Sequence, residues 1–511
     1  MWIYHDYPFW KVVLLTIYFS ILLILSFYGS HRYMMVYLYR KYAGGPDPEP
    51  KSTYDEHELP VITVQLPLFN ERYVVERLID SVCALDYPQD RLEIQVLDDS
   101  TDDTTELAAR HIEQWKAKGV DIKLIHRTDR TGYKAGALQE GMLVARGEFI
   151  AIFDADFMPR PDFLRSTIDH FTESEIGMVQ ARWEHVNREY SLLTRAQAVL
   201  LDGHFVLEHT ARNRSGRFFN FNGTAGIWRR TTIDDAGGWE HHTLTEDLDL
   251  SYRAQLKGWR FVFLRDLTVP SEIPVEMNSF KTQQHRWAKG SIQTALKLLP
   301  RIMRSDQPFH IKLEAFHHMT SNMAYLLLVC LAVLMPLATL IRIQQGWYEV
   351  MILDLPIFLG ATWSICYFYW VSQREIGRKP WEIIRLVPAV LGLGIGVSVN
   401  NAKGVVEALV GHKTPFVRTP KYAIQRGGES WTSKLYIRKS TLLPVLEFGL
   451  GAWFSYAIVT VIFDAGQSLY SLPFLMLFQF GFFYVGILSV LQSLRRHEVV
   501  EEGLIDARPY Q

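Results

Sequence analysis

Apolar and polar positions along the chain fall into three regimes. Residues 12–28 form an almost unbroken apolar run, followed by Arg32, Arg40 and Lys41. Crossing the hydrocarbon of a bilayer takes about 20 apolar residues as a helix, so this run reads as a retained transmembrane helix. The basic start and small-residue cleavage site of a secretory leader are not evident. The basic flank places the helix's C-terminal end in the cytoplasm. From 61 to 300 the apolar runs shorten to strand length, as "VITVQL", "EIQVL", "IKLIH" and "FIAIF", with helical periodicity between them at 74–84 and 104–116. That alternation predicts a mostly parallel sheet with helices on both faces. Beyond 300 the long runs return, and spans are expected over 317–341, 351–371, 442–463 and 472–491. The apolar stretch 386–399 is shorter and carries Pro388, Gly392, Gly394 and Gly396, which suits an interfacial or re-entrant segment.

Charge between the runs sets the expected topology. The 464–468 loop has no Lys or Arg and should lie outside, whereas Arg374, Arg378 and Lys379 mark an inside loop and Arg495 and Arg496 an inside C-terminus. The chain then divides into an N-terminal helix and flank (1–42), an extended linker (43–60) and a cytoplasmic α/β domain (61–300). Helices with the interfacial segment (301–410), a cytoplasmic loop region (411–440), a helical hairpin (441–494) and a cytoplasmic tail (495–511) complete it. A net charge of -2 gives no reason to expect nucleic acid as a partner. Cys83, Cys330 and Cys366 show no ligand spacing, which argues against a disulfide framework or a zinc site.

Ligands of parallel sheets bind beyond the C-terminal strand ends, and two of the predicted ends carry acids. "VLDD" ends in Asp98 and Asp99, which either cap the following helix or bond a nucleotide base or ribose. "IFDAD" supplies Asp154 and Asp156. In extended backbone positions i and i+2 share a side, so both carboxylates can hold one hard cation such as Mg²⁺ or Mn²⁺, and through it a diphosphate. Glu246 and Asp247 in "TLTEDLDL" either sit at a helix start capped by Thr245 or include a general base. Gln283, Arg286 and Trp287 in "QQHRW" combine a fixed set of donors for phosphate with an apolar face for a sugar ring. An amphipathic helix on the membrane surface is the alternative.

Taken in order, these segments resemble the family 2 glycosyltransferases of the cellulose synthase and cellulose synthase-like type. The resemblance runs from about Val61 to Lys421 and includes "LPLFNE" at Leu66 to Glu71, "VLDDSTDD", "GYKAGAL" at Gly132 to Leu138, "DAD", "FNGTAG" at Phe221 to Gly226, "TED", "QQHRW" and "FVRTPK". "FNGTAGIWR" and "KTQQHRW" look most like mannan and glucan synthase-like proteins. The resemblance implies a GT-A type (Rossmann-like) α/β domain on a helical membrane platform, in a plasma, inner or Golgi-type membrane. It implies metal-dependent, inverting transfer of a hexose from UDP-glucose or GDP-mannose to a β-linked polysaccharide, with export through the helices. Single addition to a ceramide- or polyprenol-type lipid is the alternative. Asp98, Asp99 and Lys134 would contact the nucleotide, Asp154 the nucleoside, and Asp156, with Asp154, the metal. Asp247 would be the base, with Glu246 beside it. Gln283, Arg286 and Trp287 would hold the acceptor end and the diphosphate, and "FNGTAG" would be an acceptor-side loop where cellulose synthases have a Cys-containing one. Phe416, Thr419 and Lys421 match a gating loop, with Arg418 in place of an apolar residue. Membrane lipids are expected partners, and accessory subunits are not specified.

Overall fold

The computed structural model describes residues 8–347, 353–425, 428–432, 434–436, 442–463 and 469–501. Its centre is a seven-stranded sheet. The strands are β1 (Ile62–Leu68), β2 (Leu92–Asp98), β3 (Ile122–His126), β4 (Phe149–Ile152), β5 (Ile176–His185), β6 (Gly226–Arg229) and β7 (Arg260–Ser271). They lie in the order β3-β2-β1-β4-β6-β5-β7, and β6 alone runs antiparallel to its neighbours. The mostly parallel sheet expected from the four apolar runs is borne out.

The helices used below are α1 (Phe9–Tyr42), α2 (Val75–Cys83), α3 (Thr104–Lys116), α4 (Tyr133–Val144), α5 (Leu192–Asp202), α6 (Glu246–Leu256) and α7 (Met277–Arg304). Then come α8 (Phe309–Thr320), α9 (Met323–Gln344), α10 (Asp354–Glu375), α11 (Pro380–Gly396), α12 (Ser398–Leu409), α13 (Leu443–Phe463) and α14 (Leu472–Glu501).

Successive side chains of a strand point to opposite faces, and here both faces are covered. Phe149 and Ala151 of β4 enter one core while Ile150 and Ile152 enter the other. On β1 and β2 one buried face is polar. Thr63 and Gln65 donate across to Glu93 and Gln95 at 2.5 and 3.0 Å, which pairs part of this buried polar stripe, while Gln65 Oε1 and Gln95 Nε2 are buried without a partner among the described residues. Helix α4 crosses this stripe so closely that a Cβ on Gly141 would stand 2.5 Å from the Gln65 amide nitrogen.

Among the described residues, five helical stretches are long and apolar enough to cross a membrane: α1, α9, Pro380–Leu409, α13 and Leu472–Leu494. The α/β domain is joined to them by a shared core. Met35, Val36 and Tyr39 of α1 pack with Leu193 and Val199 of α5, Met277 and Phe280 of α7, and Phe368 of α10. Two expectations shift. The run read as 317–341 starts later, at Met323, and His317 belongs to α8. The polar residues Ser321 and Asn322 form the joint, and Asn322 bonds Ser291 of α7 at 2.7 Å. The stretch 386–399 lies within Pro380–Leu409, two helices that meet at Val397. Its glycines serve close packing, since a Cβ on Gly396 would stand 2.3 Å from the Gly481 carbonyl oxygen. Of the expected span 351–371, residues 351 and 352 lie outside the described residues, as do the 464–468 loop and residues 502–511.

Candidate active site

A cavity of about 180 Å³ opens at the C-terminal strand ends, and its lining draws on β1, β5 and β7 and on the segments that follow β2 and β4. The chain turns from β1 towards β2 on one side and β4 on the other, so the cavity sits where strand order reverses, the usual ligand position in such sheets. The structure brings Asp99, Lys134, Asp154, Asp156, Glu246, Asp247, Gln283, Arg286, Trp287, Phe416, Thr419 and Lys421 to this one cavity.

Asp98 is not among the lining residues. It is fully buried and accepts from the Ser100 N–H at 3.1 Å, the Thr105 hydroxyl at 2.6 Å and His126 Nδ1 at 2.8 Å. Successive strand residues face opposite ways, so only Asp99 reaches the cavity, where Arg127 grips it with Nε and Nη2 at 2.8 and 2.6 Å. Asp98, expected at the substrate, has its carboxylate bonded to the β2–α3 connection and to β3 instead of lining the cavity. The cap reading fails as well, because Asp103 precedes α3 and makes no side-chain cap bond.

The D-x-D is not extended backbone. Strand β4 ends at Ile152, and the acids lie in a turn closed by the Phe157 N–H on the Asp154 carbonyl at 3.0 Å. Thr224 Oγ1 accepts from the Asp154 N–H at 2.8 Å and holds the turn. The two carboxylates meet different cations: Asp154 bonds Lys134, and Asp156 Oδ2 accepts from Lys421 Nζ at 2.8 Å and from the Glu272 N–H at 2.9 Å. Both supply oxygen only, which suits a hard divalent cation. Among the described residues no three His, Cys, Asp or Glu side chains converge on a metal position. Two carboxylates alone leave most of the roughly six or more oxygens that such a cation takes to ligands from outside the chain.

Asp247 is the second residue of α6, and the Thr245 side chain does not cap the helix. The Thr245 hydroxyl lies 3.1 Å from that of Thr294 instead. Burial, then the neighbouring Glu246 carboxylate, pushes the Asp247 carboxyl up to about 7, against the opposing pull of Lys134 and Arg286. Gly223 packs against it: its φ is +81°, and a Cβ there would stand 3.1 Å from Asp247 Oδ2 and 3.3 Å from Lys134 Nζ. Lys134 donates to the Gly223 carbonyl at 2.8 Å. A carboxyl poised near neutrality in a cleft is equipped to take a proton from an attacking hydroxyl.

The segment from Phe416 to Lys421 lies inside the cavity. The Phe416 ring is 5.6 Å from that of Tyr133, and the Arg286 guanidinium lies over it at 4.7 Å. Arg418 Nη1 pairs with Glu71 Oε2 at 2.9 Å, and Lys421 also donates to the Glu272 carbonyl at 2.8 Å. Burial raises the carboxyls of Glu71, to about 8, and Glu272, to about 7, with Asp156 adding to both and the loop cations opposing. This cluster of three carboxyls and two loop cations was not anticipated, nor were Trp183 and Asn222 singled out. Glu71 follows β1 as Asp99 follows β2, so the strand-end argument extends to it. Glu272 directly follows β7 and Trp183 lies on β5, two strands that the sequence patterning did not mark.

Known proteins place the chain in company. Residues 21–377 match the family model described as Glycosyl transferase family 21. The chain is 46% identical over 273 residues to glucomannan 4-beta-mannosyltransferase 1 of Oryza sativa subsp. japonica, covering 52% of each chain. It is 39% identical over 385 residues to glucomannan 4-beta-mannosyltransferase 2 of Arabidopsis thaliana, covering 69% of this chain and 72% of that one. Against the probable glucomannan 4-beta-mannosyltransferase 9 of Oryza sativa subsp. japonica identity is 35%, over 87% and 84%. Among solved structures, the mannosyltransferase PcManGT from Pyrobaculum calidifontis, in complex with GDP-Man and Mn²⁺, is similar at 19% identity and a TM-score of 0.49, over 79% of this chain and 99% of that one.

Proposed function

Because the chain belongs to Glycosyl transferase family 21 and is a glycosyltransferase with relatives among the glucomannan mannosyltransferases, we propose that it adds mannosyl residues from GDP-mannose to a growing β-linked polysaccharide. The observation that carries this reading is the single cavity in which the strand-end acids, Asp247, Arg286 and Trp287 meet. Trp287 offers a face for the acceptor sugar, and Asp247 accepts the proton of the attacking hydroxyl. Attack opposite the leaving group inverts the anomeric centre. Arg286 and Lys134 line the same cavity and would compensate the charge of a departing diphosphate. A bound Mg²⁺ or Mn²⁺, held by Asp156 and Asp154, would supply further charge neutralisation of that leaving group.

Ligand pockets run to about 300–1,000 Å³, so a cavity of about 180 Å³ is too small for a nucleotide sugar. Phe416, Arg418, Thr419 and Lys421 fill the missing space, and the loop acts as a lid that withdraws to admit the donor. Withdrawal takes Arg418 from Glu71 and Lys421 from Asp156, and a divalent ion held at Asp156 would supply positive charge in their place. With the catalytic domain on the cytoplasmic face, the product leaves through the helices.

The test uses the full chain in sealed lipid vesicles, catalytic domain outward, with labelled GDP-mannose and UDP-glucose offered in turn. The reading expects a long mannose-containing product that becomes protected from added mannanase. A single sugar on lipid, or glucose incorporation alone, contradicts it. Product that stays fully digestible contradicts export only.

A further inference from the structure

Asn222 projects into the cavity from the "FNGTAG" loop, one residue before the Gly223 backbone that abuts Asp247. Its side-chain amide is gripped at both atoms. Oδ1 lies 2.6 Å from His209 Nε2, and Nδ2 lies 3.1 Å from His204 Nε2. The two histidines come from Gly203–His209, a π-helical insert that continues α5. Such inserts are rare and recur at functional sites.

The partners determine where the protons sit. His209 Nε2 faces two acceptors, Asn222 Oδ1 and the Asn220 carbonyl at 3.0 Å, so it carries a proton. His204 Nδ1 lies 3.0 Å from Glu208 Oε2 and donates to that carboxylate. Its Nε2 is then a lone pair, able to receive only the Asn222 amide N–H. Glu208 is in turn paired with Arg32 of α1 and with Arg212, at 3.4 Å for the latter. Burial, reinforced by His209, Arg212, His318 and Arg32, holds His204 neutral. One donor and one acceptor therefore lock the amide against flipping, and one N–H and one oxygen lone pair are left for the cavity. A sugar hydroxyl both donates and accepts, and it matches that pair.

We propose that Asn222 reads a hydroxyl of the acceptor sugar beside Asp247, and that His204 and His209 are positioning residues that hold its amide in the reading orientation. The proposal rests on the glycosyl-transfer reading of this cavity.

The test measures initial rates for the full chain in lipid, with labelled GDP-mannose as donor and β-1,4-linked mannotetraose as probe acceptor. Losing one net hydrogen bond costs about 2- to 12-fold. His204→Phe and Asn222→Ala should each raise the acceptor half-saturation about tenfold, while that for GDP-mannose moves much less. His204→Gln, which can still accept from Asn222 and donate to Glu208, should restore most of the loss. The double variant His204→Phe/Asn222→Ala should be no worse than Asn222→Ala alone, because the histidine acts through the asparagine. Equal shifts in both half-saturations, additive defects, or a His204→Gln variant as impaired as His204→Phe would overturn the proposal. If His204→Phe does not fold, Asn222→Ala alone with an unchanged acceptor half-saturation overturns it. No transfer to mannotetraose by the unsubstituted protein would overturn the functional reading and this inference with it.

Discussion

Asp247→Asn should separate catalysis from stability in a pH-dependent way. Asparagine keeps the shape of the side chain but cannot take a proton, so transfer should fall by about 10²- to 10⁴-fold. In the folded chain the Asp247 carboxyl is shifted from 3.8 to about 7, mainly by burial and then by Glu246. That is about three units, and at about 1.4 kcal/mol each they separate the two protonation states by up to about 4 kcal/mol. A carboxyl with a raised folded pKa contributes stability that is fully present below its unfolded value and is lost as pH rises through the folded one. Asp247 should therefore add to the weakening of the unsubstituted protein between pH 4 and 7, and the asparagine variant should lack that share while keeping the share due to Glu71 and Glu272. The variant should melt several degrees higher at pH 8, and most of that gap should close by pH 5. The acid limb of the wild-type rate should fall about tenfold per unit below pH 7. The assay pairs labelled-sugar transfer with thermal melts of both proteins at pH 5 and 8. A variant with more than about a tenth of normal turnover, or a melting difference equal at the two pH values, would refute the reasoning.

Four further outcomes are expected. Phe416→Ala and Lys421→Ala should each cut turnover sharply without loss of folding, and the loop should lose protease resistance when GDP-mannose and Mg²⁺ are added and displace it; no change in protection removes the lid. Gly223→Ala, which strains a φ of +81° and crowds Asp247 Oδ2 at 3.1 Å, should cost about 1 kcal/mol of stability and most of the activity, and near-normal transfer would show that the Gly223–Asp247 contact is not needed. EDTA should abolish activity and Mg²⁺ or Mn²⁺ restore it, with Asp156→Ala not rescued; full activity in excess chelator ends the metal assignment. Asp98→Ala should lower the melting temperature through the donors it leaves unpaired, about 1–3 kcal/mol, with the donor half-saturation little changed; the reverse pattern would return Asp98 to the substrate.

The sheet and the strand-end acids of the cavity were legible because their causes are local. "VITVQL" and "FIAIF" are strands by composition and length, and parallel order makes their C-terminal ends the ligand end, so Asp99, Asp154 and Asp156 could be named before any coordinates. What stayed hidden depends on distant chain. Asp98 and Asp99 are adjacent letters, and only the register of β2 decides that one faces Thr105 and His126 while the other faces the cavity. The turn holding Asp154 is shaped by Thr224, seventy positions later in the chain. Glu71, Asp156 and Glu272 become a cluster only where β1, β4 and β7 end together and the loop lays Arg418 and Lys421 among them. The break before Met323 follows from a polar pair whose partner lies on α7.

The most direct test is the product itself. The purified chain in lipid, given GDP-mannose, a divalent metal and β-1,4-linked mannotetraose, should yield β-linked mannosyl chains, read by linkage analysis and anomeric NMR couplings, and the Asp247→Asn protein should yield none. An α-linked product, or an equal product from the Asp247→Asn protein, would contradict the account.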